Sequence, residues 1–127
     1  MTAKQPIDQN ISEEMAHFIS QLMLDKKAED IRIIDVQSLT TLTDFFVICS
    51  SDSDPKTKAI VDHIDRTFRK NGIKSGHIEG YQNLKWVLID YWNVIVHIFN
   101  DDSREYYGIE RLWADGKIIK VKDEPKK

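Results

Sequence analysis

The chain has 127 residues, of which 41% are apolar and 31% charged, with a net charge of −3. This suits a single globular domain with a real core and excludes a disordered chain. The acidic balance argues against a general phosphate-binding surface, which needs concentrated Lys and Arg, and suits a basic protein partner better.

Cys49 is the only cysteine, so a disulfide framework and a cysteine metal site are both excluded and a reducing compartment is expected. Its place in Phe45-Phe46-Val47-Ile48-Cys49 reads as a buried small hydrophobe. The N-terminal residues have no apolar signal core, and no apolar run approaches the ~20 residues of a membrane span. The cytosol is the expected location.

Residues 1–11 read as a flexible N-terminus leading into a helix. Asn10 followed by Glu13 fits a capping box, and Met15, Phe18, Ile19, Leu22 and Met23 recur at helical spacing. The helix should end near Lys26-Lys27, whose charge complements the C-terminal carbonyls. Strands are expected over residues 31–36 and 45–49, joined by the turn-rich segment 38–44. Asp54 as N-cap with Pro55 behind it starts a second helix, striped by Ile60, Val61, Ile64 and Phe68 and stopped at Asn71-Gly72. Residues 73–78 form a weak strand, and Glu79 to Asn83 a loop.

Residues 85–99 read as a hairpin, two apolar runs around a polar break. With Asp90 opposite Asn93, Trp86 stands opposite His97. The two-residue period then places Val87, Ile89, Val94, Val96 and Ile98 on one face and Trp86, Leu88, Ile95, His97 and Phe99 on the other. The first face is a core surface. The second is also largely apolar, so it is either covered or waiting for a partner. A short helix over 104–113, interrupted by Gly108, follows. The tail 116–127 is basic; Ile118, Ile119 and Val121 either pair as an edge strand or fray. The order α-β-β-α-β-β-β-α predicts an α/β (mixed α+β) domain, a mixed sheet of about five strands with helices packed on it.

Catalytic signatures are sparse: the chain has no phosphate loop, dinucleotide glycine fingerprint, nucleophile elbow or zinc-protease motif. Asp52 and Asp54 have the one-apart spacing of two-metal nucleotidyl-transfer carboxylates, which makes a metal-dependent nucleotidyltransferase the alternative reading. That spacing works from a strand, however, and here it precedes a helix. His97 lacks a nucleophile or carboxylate at a spacing that implies pairing. No cofactor, metal site or catalytic residue is therefore expected. Trp86, beside Leu88, His97 and Phe99, has the makings of an interface anchor.

The residues Asp30-Ile31, Asp35-Val36, Thr43 to Ile48, Glu79-Gly80, Trp86, Asp90, Val94 to His97, Arg104 to Tyr107 and Glu110 to Trp113 occur in the order and spacing of a known family. The chain resembles the ribosomal silencing factors (RsfS, also called Iojap or YbeB) over residues 12–115. The resemblance implies a nucleotidyltransferase-like fold without catalytic carboxylates. It also implies a translational repressor, not an enzyme, that binds the fourteenth protein of the large ribosomal subunit and blocks docking of the small subunit when nutrients are scarce. A homodimer when free, a bacterial cytosolic location, and no membrane or sequence-specific nucleic-acid partner belong to the same implication. Trp86, Leu88, Asp90, His97, Phe99, Glu79 and Tyr81 are the residues then expected to meet the ribosomal protein. A third reading makes the Trp86 face a homodimer surface only. Relatives usually have Gly where this chain has Trp92, so a turn wider than the tightest kind is expected.

Overall fold

The structure, a computed structural model, describes residues 9–121. Of the N-terminus expected to be flexible over residues 1–11, residues 1–8 lie outside these, as does the end of the tail, residues 122–127; residues 9–11 begin the first helix. Helix α1 (Gln9–Asp25) is followed by strands β1 (Glu29–Asp35) and β2 (Phe45–Ser51), helix α2 (Asp54–Lys70), strands β3 (His77–Glu79), β4 (Trp86–Asp90) and β5 (Val94–Asn100), helices α3 (Asp101–Tyr107) and α4 (Ile109–Leu112), and strand β6 (Lys117–Val121). Six strands form one mixed sheet in the order β3-β4-β5-β2-β1-β6, one more than expected because the tail pairs antiparallel with β1. β2 and β5 run parallel at its centre, and every other pairing is antiparallel.

The helices divide unequally between the two faces. Ile19, Leu22 and Met23 of α1 and Ile60, Val61, Ile64 and Phe68 of α2 pack on Ile31, Ile33, Val47, Cys49, Val87, Ile89, Val94, Val96 and Ile98 in the main core. The opposite face carries a smaller cluster, Ile34, Val36, Phe46, Ile48 and Phe99, capped by Ile109 with Trp113 and Trp86 packed against it. β2 is buried along its whole length because both faces of the sheet are covered there, which is why its sequence is a continuous apolar run and not an alternation.

The termini of the helices show local chemistry at work. α1 ends with Lys27 in the left-handed region (φ 64°), donating to the Leu24 carbonyl while Ala28 donates to Met23. α2 ends in the same way at Gly72 (φ 81°), with Ile73 reaching back to Phe68. Two start positions differ from expectation. Asn10 lies inside α1 and not ahead of it. Ser53, not Asp54, caps α2: its hydroxyl accepts from the Lys56 amide at 3.2 Å, with Asp54 and Pro55 inside the first turn, where a carboxylate favours the helix dipole.

The hairpin also corrects the expected register. Trp86 lies opposite Phe99, Val87 opposite Ile98, Leu88 opposite His97 and Ile89 opposite Val96. The offset from the expected pairing is two residues, so the two face sets survive intact. The turn causes it. Tyr91 donates to the Val94 carbonyl, leaving Trp92 and Asn93 as a tight two-residue turn. Trp92 takes φ 69°, and the Asp90 carboxylate accepts its amide at 2.8 Å. The Asn93 carbonyl accepts from the Asp44 and Phe45 amides, pinning the turn to the start of β2. The wider turn expected from a non-Gly residue does not occur.

Candidate functional site: the Trp86 face

β-Pairing builds this face row by row. Glu79 on β3, Leu88 on β4, His97 on β5, Ile48 on β2 and Arg32 on β1 stand side by side; in the next row are His77, Asp90, Ile95, Phe46 and Ile34. α3 and α4 cover the rows toward β2 and β1, and α3 meets β4 through Tyr107 on Trp86. Trp86, Leu88 and Ile95 are left half-buried, with Asp90 and the exposed Glu79 along one side. The open part of the face is thus a Trp-centred apolar strip with an acidic rim.

Trp86 is held on three sides. Its indole stacks on Phe99 (centroids 5.0 Å apart, 27° between planes), meets Tyr107 of α3 at 4.7 Å, and donates from Nε1 to His97 Nδ1 at 3.0 Å. His97 in turn stands edge-to-face with Phe46, and Phe46 with Trp113. Burial alone pushes the His97 imidazole down from its ordinary range to about 3. The ring is therefore neutral, and because Nδ1 accepts from the indole, Nε2 carries the hydrogen. That Nε2 is buried with no hydrogen-bond partner among the described residues, at a cost of ~1–3 kcal/mol.

The sequence-predicted site residues do not all meet a partner on equal terms. Trp86, Leu88, Asp90 and Glu79 line the open strip. His97 and Phe99 share the face but are buried beneath Trp86, so they support the surface without forming it. Tyr81 is set apart: its phenol donates to Asp62 of α2 at 2.9 Å, and Lys58 lies over its ring. Ile95, half-buried on β5, and Tyr107, which packs on Trp86 and meets the strongly exposed Tyr106, extend the apolar surface beyond the predicted set. The doubled tyrosines before Gly108 were the available signal. Gly108, at φ 59°, breaks α3 from α4 and turns the chain back over the sheet.

What fastens α3 and α4 to the sheet is Arg104. Its guanidinium grips Glu110 in a fork, Nε to Oε1 and Nη2 to Oε2 both at 2.9 Å, and its Nη1 donates to the Asp30 carbonyl at 2.7 Å and Ser50 Oγ at 2.8 Å. Arg32 adds a third N–H donor to Glu110, from Nη1 at 3.1 Å. These hydrogen bonds, Arg104 first, hold the Glu110 carboxyl below the usual carboxylate range. Beneath them, burial pushes the Cys49 thiol up to about 12, so it packs as an inert apolar group.

Asp52 and Asp54 follow the C-terminal ends of the parallel strands, beside a polar hollow of about 250 Å³ shared with Asn100, Asp101 and Asp102. Asp52 pairs with Lys56 at 3.3 Å and Asp54 occupies the first turn of α2. The described residues contain no group of three or more His, Cys, Asp or Glu placed to hold a metal ion, and no helix among them is long and apolar enough to cross a membrane.

Residues 9–127 match the family model described as ribosomal silencing factor during starvation. The chain belongs to the ribosomal silencing factor family. It is 39% identical to the Bacillus subtilis ribosomal silencing factor over 94 residues, 74% of this chain and 80% of that one. A Bacillus halodurans crystal structure superposes with a TM-score of 0.76 at 32% identity, covering 86% of this chain and 99% of the other. A mouse protein named for mitochondrial assembly of the ribosomal large subunit is 30% identical across 73% of this chain, which spans 42% of the mouse protein. Family membership makes the protein a ribosome silencing factor, and that regulatory name carries no catalytic activity.

Proposed function

We propose that the protein is an anti-association factor of the bacterial cytosol that binds the large ribosomal subunit and excludes the small one by its bulk. The observation that carries this reading is the half-buried Trp86-Leu88-Ile95 strip edged by Glu79 and Asp90. A central aromatic anchor in a packed setting with a charged rim is the arrangement from which interfaces draw most of their affinity, and an acidic rim suits a basic ribosomal protein. The fourteenth protein of the large subunit is the partner in this reading. Steric exclusion asks no chemistry of the site, since a ~15 kDa body on a subunit interface blocks docking by volume alone.

Free in solution, the same strip serves a homodimer, and ribosome and second copy then compete for it. Trp86→Ala should keep the fold and weaken co-sedimentation with large subunits at least tenfold, a loss of ~1.4 kcal/mol or more. Wild-type affinity in the mutant would refute the assignment. Equal dimerisation of wild type and mutant by analytical ultracentrifugation would remove the dimer from this face while leaving the ribosome reading intact.

A further inference from the structure

His97 cannot meet a partner directly, because it is only 3% exposed and lies beneath Trp86. It nevertheless accepts the hydrogen bond of the indole N–H. Stacking on Phe99 and packing on Tyr107 fix the plane of the Trp86 ring but not its sense. The torsion joining an indole to its Cβ has two broad wells, and turning the ring over within its plane keeps much of the stacking while exchanging the edge it presents. The bond from Nε1 to His97 Nδ1 selects one of the two.

We propose that His97 is a positioning residue for ribosome binding: its Nδ1, held as an acceptor in the Nε2–H tautomer, locks the Trp86 indole in the orientation that presents the anchor. This rests on the reading that Trp86 is the anchor. Three features make the lock work. The imidazole is sealed from water, so no solvent molecule competes for Nδ1. Burial keeps the ring neutral, and a protonated ring would offer a second donor where the indole needs an acceptor. Phe46 and Phe99, at 4.9 and 6.2 Å between centroids, pack against the imidazole and hold it in place. A pre-oriented anchor saves the cost of freezing a large side chain on binding.

The test uses the full chain and two substitutions. His97→Asn keeps an acceptor near the position of Nδ1, whereas His97→Phe keeps the ring and removes the acceptor. The three tryptophans give three indole N–H resonances in a nitrogen–proton correlation spectrum, and Trp86→Phe identifies the relevant one. In wild type that resonance should be shifted downfield and exchange slowly with solvent, and His97 should show unprotonated Nδ1 and protonated Nε2 without any substitution. His97→Phe should move the indole resonance to the position of a free indole and weaken large-subunit binding about fivefold to tenfold. His97→Asn should restore most of both.

An Nδ1–H tautomer in wild type, or an indole resonance unmoved in His97→Phe, would overturn the lock and leave the Trp86 anchor standing. So would a moved resonance with unchanged binding, provided Trp86→Ala still weakens binding. Should Trp86→Ala bind as wild type, the anchor reading itself fails, whatever the indole resonance does. The tautomer measurement requires no variant, so an Nδ1–H ring overturns the lock even if His97→Phe does not fold; the smaller apolar variant His97→Leu then supplies the indole and binding comparison, with the same outcomes expected.

Discussion

Acidification should destabilise this protein through His97, in a window that can be specified. Unfolded, the imidazole titrates near its ordinary 6.5; folded, burial holds it at about 3. Below 6.5 the unfolded chain therefore binds a proton that the folded chain refuses, and stability falls as the pH drops toward 3. The slope approaches ~1.4 kcal/mol per pH unit once the unfolded imidazole is mostly charged, which gives a loss of about 2 kcal/mol between pH ~7 and ~5 and a ceiling of ~5 kcal/mol near pH 3. Urea unfolding of wild type and His97→Phe at both pH values isolates the contribution. The other three histidines, and Glu110, are common to both proteins and cancel in the difference. His97→Phe should be less sensitive to acid by about 2 kcal/mol over that interval, although it is the less specifically packed protein at neutral pH. Equal pH dependence in the two would refute the account, since it would mean that the buried imidazole titrates normally.

Two further perturbations probe the scaffold beneath the site. Arg104→Leu removes the fork on Glu110 and the donors to Asp30 and Ser50, leaving a half-buried carboxylate short of partners; the expected loss is ~3–5 kcal/mol by urea unfolding. In wild type the depressed Glu110 contributes stability that is present above its unfolded value and lost as the pH falls through its folded one, and the variant should lose that acid-dependent part. Gly80→Ala drives a Cβ into the Trp86 carbonyl oxygen at a residue with φ 82°, so the start of β4 must move. A loss of about 2–4 kcal/mol is expected from the left-handed backbone and the forced shift together, with large-subunit binding falling alongside it. A Gly80→Ala protein as stable as wild type would show that the β3–β4 connection relaxes freely.

Much of the architecture was legible along the chain. The stripe Ile60, Val61, Ile64, Phe68 marked the buried face of α2, and Asn71-Gly72 marked its end, because helical period and left-handed caps are written within a few residues. The capping positions were misplaced by a residue or so, since Ser53 and Asp54 are both competent caps and only the trajectory from β2 into α2 selects Ser53. The tail strand was ambiguous because Ile118-Ile119 gains nothing locally; its order comes from the ladder on β1 and from Ile119 and Val121 packing against the main core.

The site divides in the same way. The alternation in Trp86 to Phe99 by itself determined which side chains share a face, since parity is set by the pleat and a two-residue error in register leaves it unchanged. What the alternation has no means of encoding is coverage. Whether an apolar face is core or surface depends on what distant segments place upon it, and here Gly108 and the bonds from Arg104 to Asp30, Ser50 and Glu110 decide how far α3 and α4 reach. Tertiary structure therefore buried His97 and Phe99, left Trp86, Leu88 and Ile95 half-open, and took Tyr81 away to α2. Local periodicity chose the face, and long-range packing chose which part of it stays open to a partner.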